Sequence, residues 1–466
     1  MRLGYHTKRL RDGLTSLLMI GDLVSHDHWS PALLKAHQQV LLRNVVRHAV
    51  KHSPFYREFY GHVDTDRPFQ LDHLPLLNKK TMMENFDHVV TDPRLRLRDI
   101  ENHITKLSRD EYYLDNYRAL STGGSSGLTG IFVYGRKEWV TILTAMQRTG
   151  RYMQVTPRLP NRLKMTMIGA HHPRHGTSRV PESADFGLAV IQRLAVETPL
   201  KKLVVDLNDF QPEVLTSYPS IISMLAIEQQ EGRLRISPRV VVTTAEICTD
   251  DMKHKIREAW GIEPFNSYAM TEAPFLGTTC MHNNGIHVFE DLIILENVDE
   301  NNRPVPDGVL GHKVLITNLF SYTQPILRYE ITDMIEMSPE PCPCGRPFRL
   351  IKHIEGRIDD IIELDGIHSK SVPVHPLNFR TVLGAIHELS QYQVVQKRDG
   401  LHFNLVCRGS VDREQVAGSI GPLIKKKLES IEVKCPPIFI HFVEELEREQ
   451  NQVGKLKLIK KMMAEA

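Results

Sequence analysis

The segment from Arg118 to Phe132 reads "RALSTGGSSGLTGIF", and between Ser121 and Gly130 every residue except Leu128 is Ser, Thr or Gly. Small residues leave backbone N–H groups and hydroxyls free to converge on an anion, so such a run can cradle phosphate. The run contains no lysine, and the chain carries neither G-x-x-x-x-G-K-[ST] nor G-x-G-x-x-G. If the loop holds phosphate, its positive charge must come from elsewhere in the chain. A flexible Gly/Ser linker would have the same composition, and composition alone leaves both readings open.

A second group could hold a metal. Cys280 and His287 bracket "MHNNGI", and Cys342-Pro343-Cys344-Gly345 follows further along. Three thiolates and an imidazole suit a closed tetrahedral zinc site, and the tight C-P-C-G turn puts two thiolates on one side. His282 is a rival ligand, two residues from Cys280. Buried cysteines beside surface histidines remain the alternative. The other three cysteines, Cys248, Cys407 and Cys435, read as core residues.

These groups need a scaffold. Residues 31–60 carry apolar positions at helical spacing (Leu34, Leu41, Val45) behind Pro31, which predicts one helix, and 134–154 predict another. "KMTMIGA" and "RVVVTTA" are short apolar runs that fit buried strands. After the second, Thr249 or Asp250 can cap a helix that Gly261 can end, and "IEPFNSY" reads as the next strand. Strands alternating with helices indicate an α/β fold. From residue 309 the texture becomes mostly antiparallel, with "VLGHKVLITNLF" and "ILRYEITDMIEM" read as strands. Beyond Asp359 comes a small α+β set: a strand "QYQVVQK", a turn at Arg398-Asp399-Gly400, a strand "LHFNLVCR", a helix over 412–429 and a strand "PIFIHFV".

Composition bounds the function. The 466 residues allow two to four domains, or a large one with a smaller partner. A net charge of +2 argues against a dedicated nucleic-acid binder. Six cysteines do not make a disulfide scaffold. No apolar run approaches the roughly 20 residues of a membrane span. The N-terminal "MRLGYHTKRLRDGLTSLLMIGDLV" is broken by Asp22 and reads as a surface helix rather than a signal peptide. A soluble cytoplasmic protein is expected.

The motifs, taken together, resemble those of adenylate-forming enzymes, specifically the phenylacetate–CoA ligase branch. "STGGSSGLTG" is similar to that family's S-T-S-G-[ST]-T-G-K-P loop, "TTAEI" to G-A-E-P, and "SYAMTEA" to Y-G-x-[ST]-E. "RYEITDM" resembles R-Y-x-T-G-D, "EGRIDDIIELDG" resembles G-R-x-D-D-x-[IL]-x-x-x-G, and "NQVGKLK" resembles the C-terminal G-K motif. "HSPFYREFY" is similar to the family's V-P-F-Y-R element, so the likeness spans nearly the whole chain in order.

The resemblance implies a large multi-subdomain adenylation domain at 1–358 and a small mobile domain at 359–466, hinged at Asp359. It implies ATP held by Ser121, Thr122, Gly124, Ser125, Ser126, Gly127, Ala245 and Glu246, with Tyr268 stacked on adenine, Asp333 on the ribose hydroxyls and Arg357 near ribose and phosphate. Thr271 would bind phosphate and Glu272 Mg²⁺, while Lys455 would swing in from the small domain as the missing cation. Some members of the branch carry zinc at positions matching Cys280, His287, Cys342 and Cys344, and "IGAHHPRHGTSR" would be a loop over the acyl pocket. The implied activity is adenylation of a small-molecule carboxylate, then transfer to coenzyme A. A homodimer stays open. Leu128, Ala269 and Thr332 depart from the motifs, at Lys, Gly and Gly. Two alternatives follow: a nucleotidyltransferase placing AMP on a hydroxyl, or an ATP-binding homologue without catalysis.

Overall fold

Nine strands form the main sheet of the computed structural model, which describes residues 2–61, 63, 64, 67, 69–122, 129–155, 160–170, 172–185, 187, 189–409, 411–448 and 455–461. Their spatial order is Asp333–Met337, Leu350–Arg357, Ile286–Val288, Gly277–Thr279, Phe265–Tyr268, Val240–Thr244, Val214–Ser217, Leu163–Gly169 and Ala189–Ala195. The last five run parallel, and the first four continue the sheet antiparallel. Parallel strands need crossovers, and the helices Leu200–Phe210, Pro219–Gln230 and Asp250–Trp260 supply three of them. These helices cover Val241 on one face, and Val240 and Val242 pack with Met153, Leu163 and Phe265 on the other, so "VVVTT" is buried throughout.

Local signals placed several boundaries. The Thr249 hydroxyl accepts from the Met252 N–H, and Gly261 closes the helix Asp250–Trp260 at φ +70°, a left-handed cap. The helix expected over 134–154 runs Arg136–Tyr152. The helix expected over 31–60 is broken instead into Pro31–His52 and Pro54–Phe59. Ser53 sits between them in extended geometry, because the Pro54 ring disfavours α geometry at the residue before it. Its hydroxyl then caps the second helix at the Tyr56 N–H.

"ILRYEITDMIEM" is likewise two strands rather than one. Tyr329–Ile331 closes a three-stranded antiparallel sheet with Ile293–Val298 and Lys313–Asn318, whereas Asp333–Met337 joins the large sheet. The chain changes sheets at Thr332, directly before Asp333. The first helix, Arg2–Ser25, is more than a surface element. Leu18 is 85% exposed, but Asp12 and Ser16 are buried and bonded to Arg136 and Gln147.

Residues after 361 fold around their own core. The order Ile438–Phe442, Gly400–Cys407, Leu389–Lys397, Ile459–Lys461 makes a four-stranded sheet, and its central hairpin turns between Lys397 and Gly400. The helix Arg413–Glu429 starts at Asp412, whose carboxylate accepts from the N–H groups of Glu414 and Gln415. It lays Val416, Ile420, Ile424 and Leu428, at a spacing of four, onto that sheet with Leu401 and Phe403. Among the described residues no helix is long and apolar enough to cross a membrane.

Candidate active site

Several of the site residues singled out above stand where a strand begins or ends. Ser121 closes the strand Arg118–Ser121, which pairs with Ile131–Tyr134, and the Ser/Thr/Gly run is the connection between them. The base of this hairpin is locked: the Thr122 N–H donates to the Gly130 carbonyl (2.9 Å), and the Gly130 N–H donates to the Thr122 hydroxyl (2.8 Å). Gly124, Ser125, Ser126, Gly127 and Leu128 lie outside the described residues.

Ala245 follows the strand Val240–Thr244 at φ +68°, left-handed geometry that a non-glycine residue adopts only under local constraint. That turn presents Glu246, which was expected on the nucleotide. Its carboxylate accepts from the Ser220 N–H (3.2 Å) and, across 210 residues of sequence, from the Leu456 N–H (2.8 Å). The acceptor is thus bonded to the residue directly after Lys455.

Tyr268 ends its strand with its hydroxyl donating to Asp333 Oδ2 (2.6 Å). Asp333 and Arg357 are register partners across their hairpin, and Arg357 Nε donates to Asp333 Oδ1 (3.0 Å). Both carboxylate oxygens therefore already carry a protein donor. Thr271 is fixed by its backbone, its carbonyl accepting from the buried Tyr134 hydroxyl (2.6 Å). Glu272 is buried, and burial pushes its carboxyl above the ordinary range, with Lys79 and Arg357 opposing.

Lys455 faces four charged groups. Burial and the nearby Arg357 push its ammonium down to about 8, and Glu246, Asp333 and Glu272 work the other way. Ser121, Thr122, Ala245, Glu246 and Tyr268 line a single cavity of about 1690 Å³. Thr271, Glu272, Asp333, Arg357 and Lys455 line the same cavity, so every described residue expected at the nucleotide meets there.

Two further residues on this wall escaped the sequence reading. Lys79 begins the short helix Lys79–Glu84, whose Met83 sulfur accepts from the Ile131 N–H at the foot of the Ser/Thr/Gly run. It is a cation facing the cavity close to Glu272, and only its place after the cap residue Asn78 could have hinted at it. His175 is buried on the same wall with Nδ1 3.2 Å from the Ser121 carbonyl. Burial and Arg174 push its pKa down to about 4, so it is a neutral imidazole at pH 7. In the sequence it is one of three histidines in "IGAHHPRHGTSR".

The cysteine set is also assembled. One ligand atom each from Cys280, His287, Cys342 and Cys344 lies within 4.8 Å of all the others. The Cys280 and Cys342 sulfurs are 3.6 Å apart, and Cys344 Sγ is 3.5 Å from His287 Nε2. A tetrahedron with Zn–S bonds of about 2.3 Å has edges of roughly 3.8 Å, so this donor set fits zinc. Gly345 at φ +77° turns the C-P-C-G segment. The rival His282 is exposed and outside the set. Cys407 and Cys435 pack against the C-terminal core as expected, whereas the buried Cys248 also lines the cavity wall.

This sheet and cavity can be compared with known proteins. No family model matches the chain. It is 25% identical over 383 residues to a phenylacetate–coenzyme A ligase of Thermus thermophilus, covering 79% of both chains. It is 25% identical over 364 residues to the protein CapK of Staphylococcus aureus, covering 74% of this chain and 71% of that one. Among solved structures, 2-hydroxyisobutyryl-CoA ligase in its post-adenylation state matches with a TM-score of 0.74 at 19% identity, covering 94% of this chain and 91% of that chain. The same enzyme in its thioesterification state matches with a TM-score of 0.60 at 19% identity and the same coverage, 94% and 91%. The chain is thus similar along most of its length to curated members of the phenylacetate–coenzyme A ligase-like branch, and it shares the fold of the adenylate-forming 2-hydroxyisobutyryl-CoA ligase.

Proposed function

We propose that the chain is an ATP-dependent carboxylate-activating ligase. A substrate carboxylate oxygen attacks the α-phosphorus of ATP, pyrophosphate leaves, and an acyl-adenylate forms. The thiolate of coenzyme A then attacks the acyl carbon and AMP leaves. The observation that carries this reading is the shared cavity, where Lys455 from the C-terminal unit meets Asp333, Arg357 and Glu272 from the large one. The relatives named as phenylacetate–coenzyme A ligases support the same chemistry.

Each residue then has a task. We assign Asp333 to the ribose hydroxyls: a carboxylate oxygen has two lone-pair sites, so the bonds from Tyr268 and Arg357 orient it without saturating it. Tyr268, fixed by that bond, packs beside the nucleotide. Ser121 and Thr122 lead into the run assigned to the phosphates, and Ala245 turns the chain beside the adenine. Arg357 and Lys455 offset charge around the α-phosphate. Glu272 fits a divalent cation because its buried carboxylate lacks enough positive charge to offset desolvation. Bound Mg²⁺ would neutralise phosphate charge. Glu272→Gln should raise the Mg²⁺ concentration for half-maximal pyrophosphate release by about tenfold or more, roughly 1.4 kcal/mol. An unchanged magnesium titration would contradict this assignment.

Zinc, held by Cys280, His287, Cys342 and Cys344, is assigned a structural role, since four protein ligands leave no open position. An enzyme consuming ATP and coenzyme A belongs in the cytoplasm, and the net charge of +2 supports a small-molecule partner over nucleic acid.

Two half-reactions over one site call for two arrangements of the C-terminal unit, 359–466, against 1–358. The higher likeness to the post-adenylation state and the Glu246–Leu456 bond support reading this structure as the adenylating arrangement. Asp359 lies in the turn Ile358–Asp360 and accepts from the Thr332 hydroxyl (3.3 Å). Proline's φ near −65° matches such a turn, so Asp359→Pro should hold this arrangement. Acyl-adenylate formation should persist while transfer to the thiol falls at least about tenfold. Equal loss of both steps would remove Asp359 as the hinge.

A further inference from the structure

The cavity is larger than the roughly 300–1,000 Å³ of an ordinary small-ligand site. The nucleotide residues occupy one end of it. The other end has one face of the parallel sheet as its floor. Leu163, Met165 and Met167 point into it from one strand, and the register sets Ala189 and Ile191 beside them on the edge strand. On the other side, Val214 pairs with Met165, and Thr216 with Val242. Of the alternate residues, Lys164, Val190, Leu215 and Val241 are absent from the lining and Thr166 alone enters it, close to a strand's period of two. Leu17 and Ile20 of the first helix, with Met146 and Val180, contribute further apolar lining.

Four adjacent strands at about 4.8 Å spacing make this floor about 14 Å wide. An apolar void of about 150 Å³ already holds a benzene ring, so one ring would cover only part of a floor this wide. The described lining residues of these four strands include no aromatic side chain to stack on a ring and no charged one to pair with a second carboxylate. Two of them are methionines, whose unbranched side chains adapt to flexible occupants. Thr216 and Thr244 mark the way back to the nucleotide end.

We infer that the acid activated here is an aliphatic monocarboxylate with an extended chain, its carboxylate at Lys455 and its tail along the methionine-bearing floor. This rests on the carboxylate-activating reading above. The test is pyrophosphate release with butanoate, phenylacetate, octanoate and dodecanoate under one set of conditions. Each buried methylene should raise kcat/KM about three- to fourfold until the floor is filled, and octanoate or dodecanoate should exceed phenylacetate at least about tenfold. A flat series, or phenylacetate ahead of the longer acids, overturns the inference and leaves carboxylate activation standing. Release with none of the acids, in protein that binds ATP, overturns the carboxylate-activating reading itself and the inference with it.

Two variants locate the tail. Met165→Trp should lower the dodecanoate-to-butanoate ratio of kcat/KM at least about tenfold, and Met165→Ala, which opens the floor, should move the length optimum to longer acids. The alanine variant serves if tryptophan prevents folding, and a length profile unmoved in every folded variant overturns the placement of the tail.

Discussion

Lys455→Ala should lose about 10²–10³-fold in carboxylate-dependent pyrophosphate exchange, the range seen when a group aimed at developing charge is removed. The same variant should consume supplied acyl-adenylate with coenzyme A at close to the parental rate, as the proposed use of Lys455 in the adenylating arrangement alone requires. The effect should be large because the loop contributes no lysine of its own among Ser121 to Gly130, so this ammonium carries much of the charge. Its lowered pKa gives the expectation a pH signature. Burial and Arg357 disfavour the cation, so the proton leaves at about 8 rather than near the ordinary lysine value. The cation is the active form, so kcat/KM for adenylation should be full below that point and decline as pH rises through about 8. Lys455→Arg should lose this alkaline limb, since a guanidinium stays protonated. An alkaline limb that survives in the arginine variant would assign the titration to another group.

The second large effect concerns the metal. Protein prepared without chelators should contain about one zinc per chain, and Cys342→Ala should lose it. Structural zinc contributes roughly 10–16 kcal/mol in small domains. Within a chain of 466 residues a loss of about a third of that, 3–5 kcal/mol, would lower the melting temperature by roughly 3–5 °C. The consequence should reach the nucleotide. Cys342 and Cys344 lie in the connection between Asp333–Met337 and Leu350–Arg357, the hairpin that sets Asp333 opposite Arg357. His287 belongs to the neighbouring strand and pairs with Leu350. Removing the clamp should therefore weaken ATP binding as well as stability. Metal-free protein with an unchanged melting temperature in Cys342→Ala would show that the four residues are only packed cysteines and a buried histidine.

The sequence carried the site better than it carried the path of the chain. Residues that end elements were legible because their types are local signals: Thr249 and Gly261 cap a helix by their own chemistry. The motif order placed Asp333, Arg357 and Glu272 without any knowledge of the sheet. What failed needed the fold. The break at Ser53 depends on a single proline inside an otherwise continuous apolar pattern. The change of sheet at Thr332 leaves no trace in "RYEITDM", because both strands are equally apolar. The bond between Glu246 and Leu456 joins residues 210 apart, which no local pattern shows. Lys79 and His175 reach the cavity by tertiary packing, so no local spacing announces them.

The most direct test is isotope exchange between pyrophosphate and ATP in the purified full chain, with mass detection of the adenylate. With Mg²⁺ and a medium-chain fatty acid, exchange should require the carboxylate and should accumulate acyl-AMP when no thiol is present. Added coenzyme A should convert that species to thioester and AMP. Transfer of AMP to a hydroxyl acceptor with no dependence on any carboxylate, or ATP binding without exchange, would contradict carboxylate activation at this site.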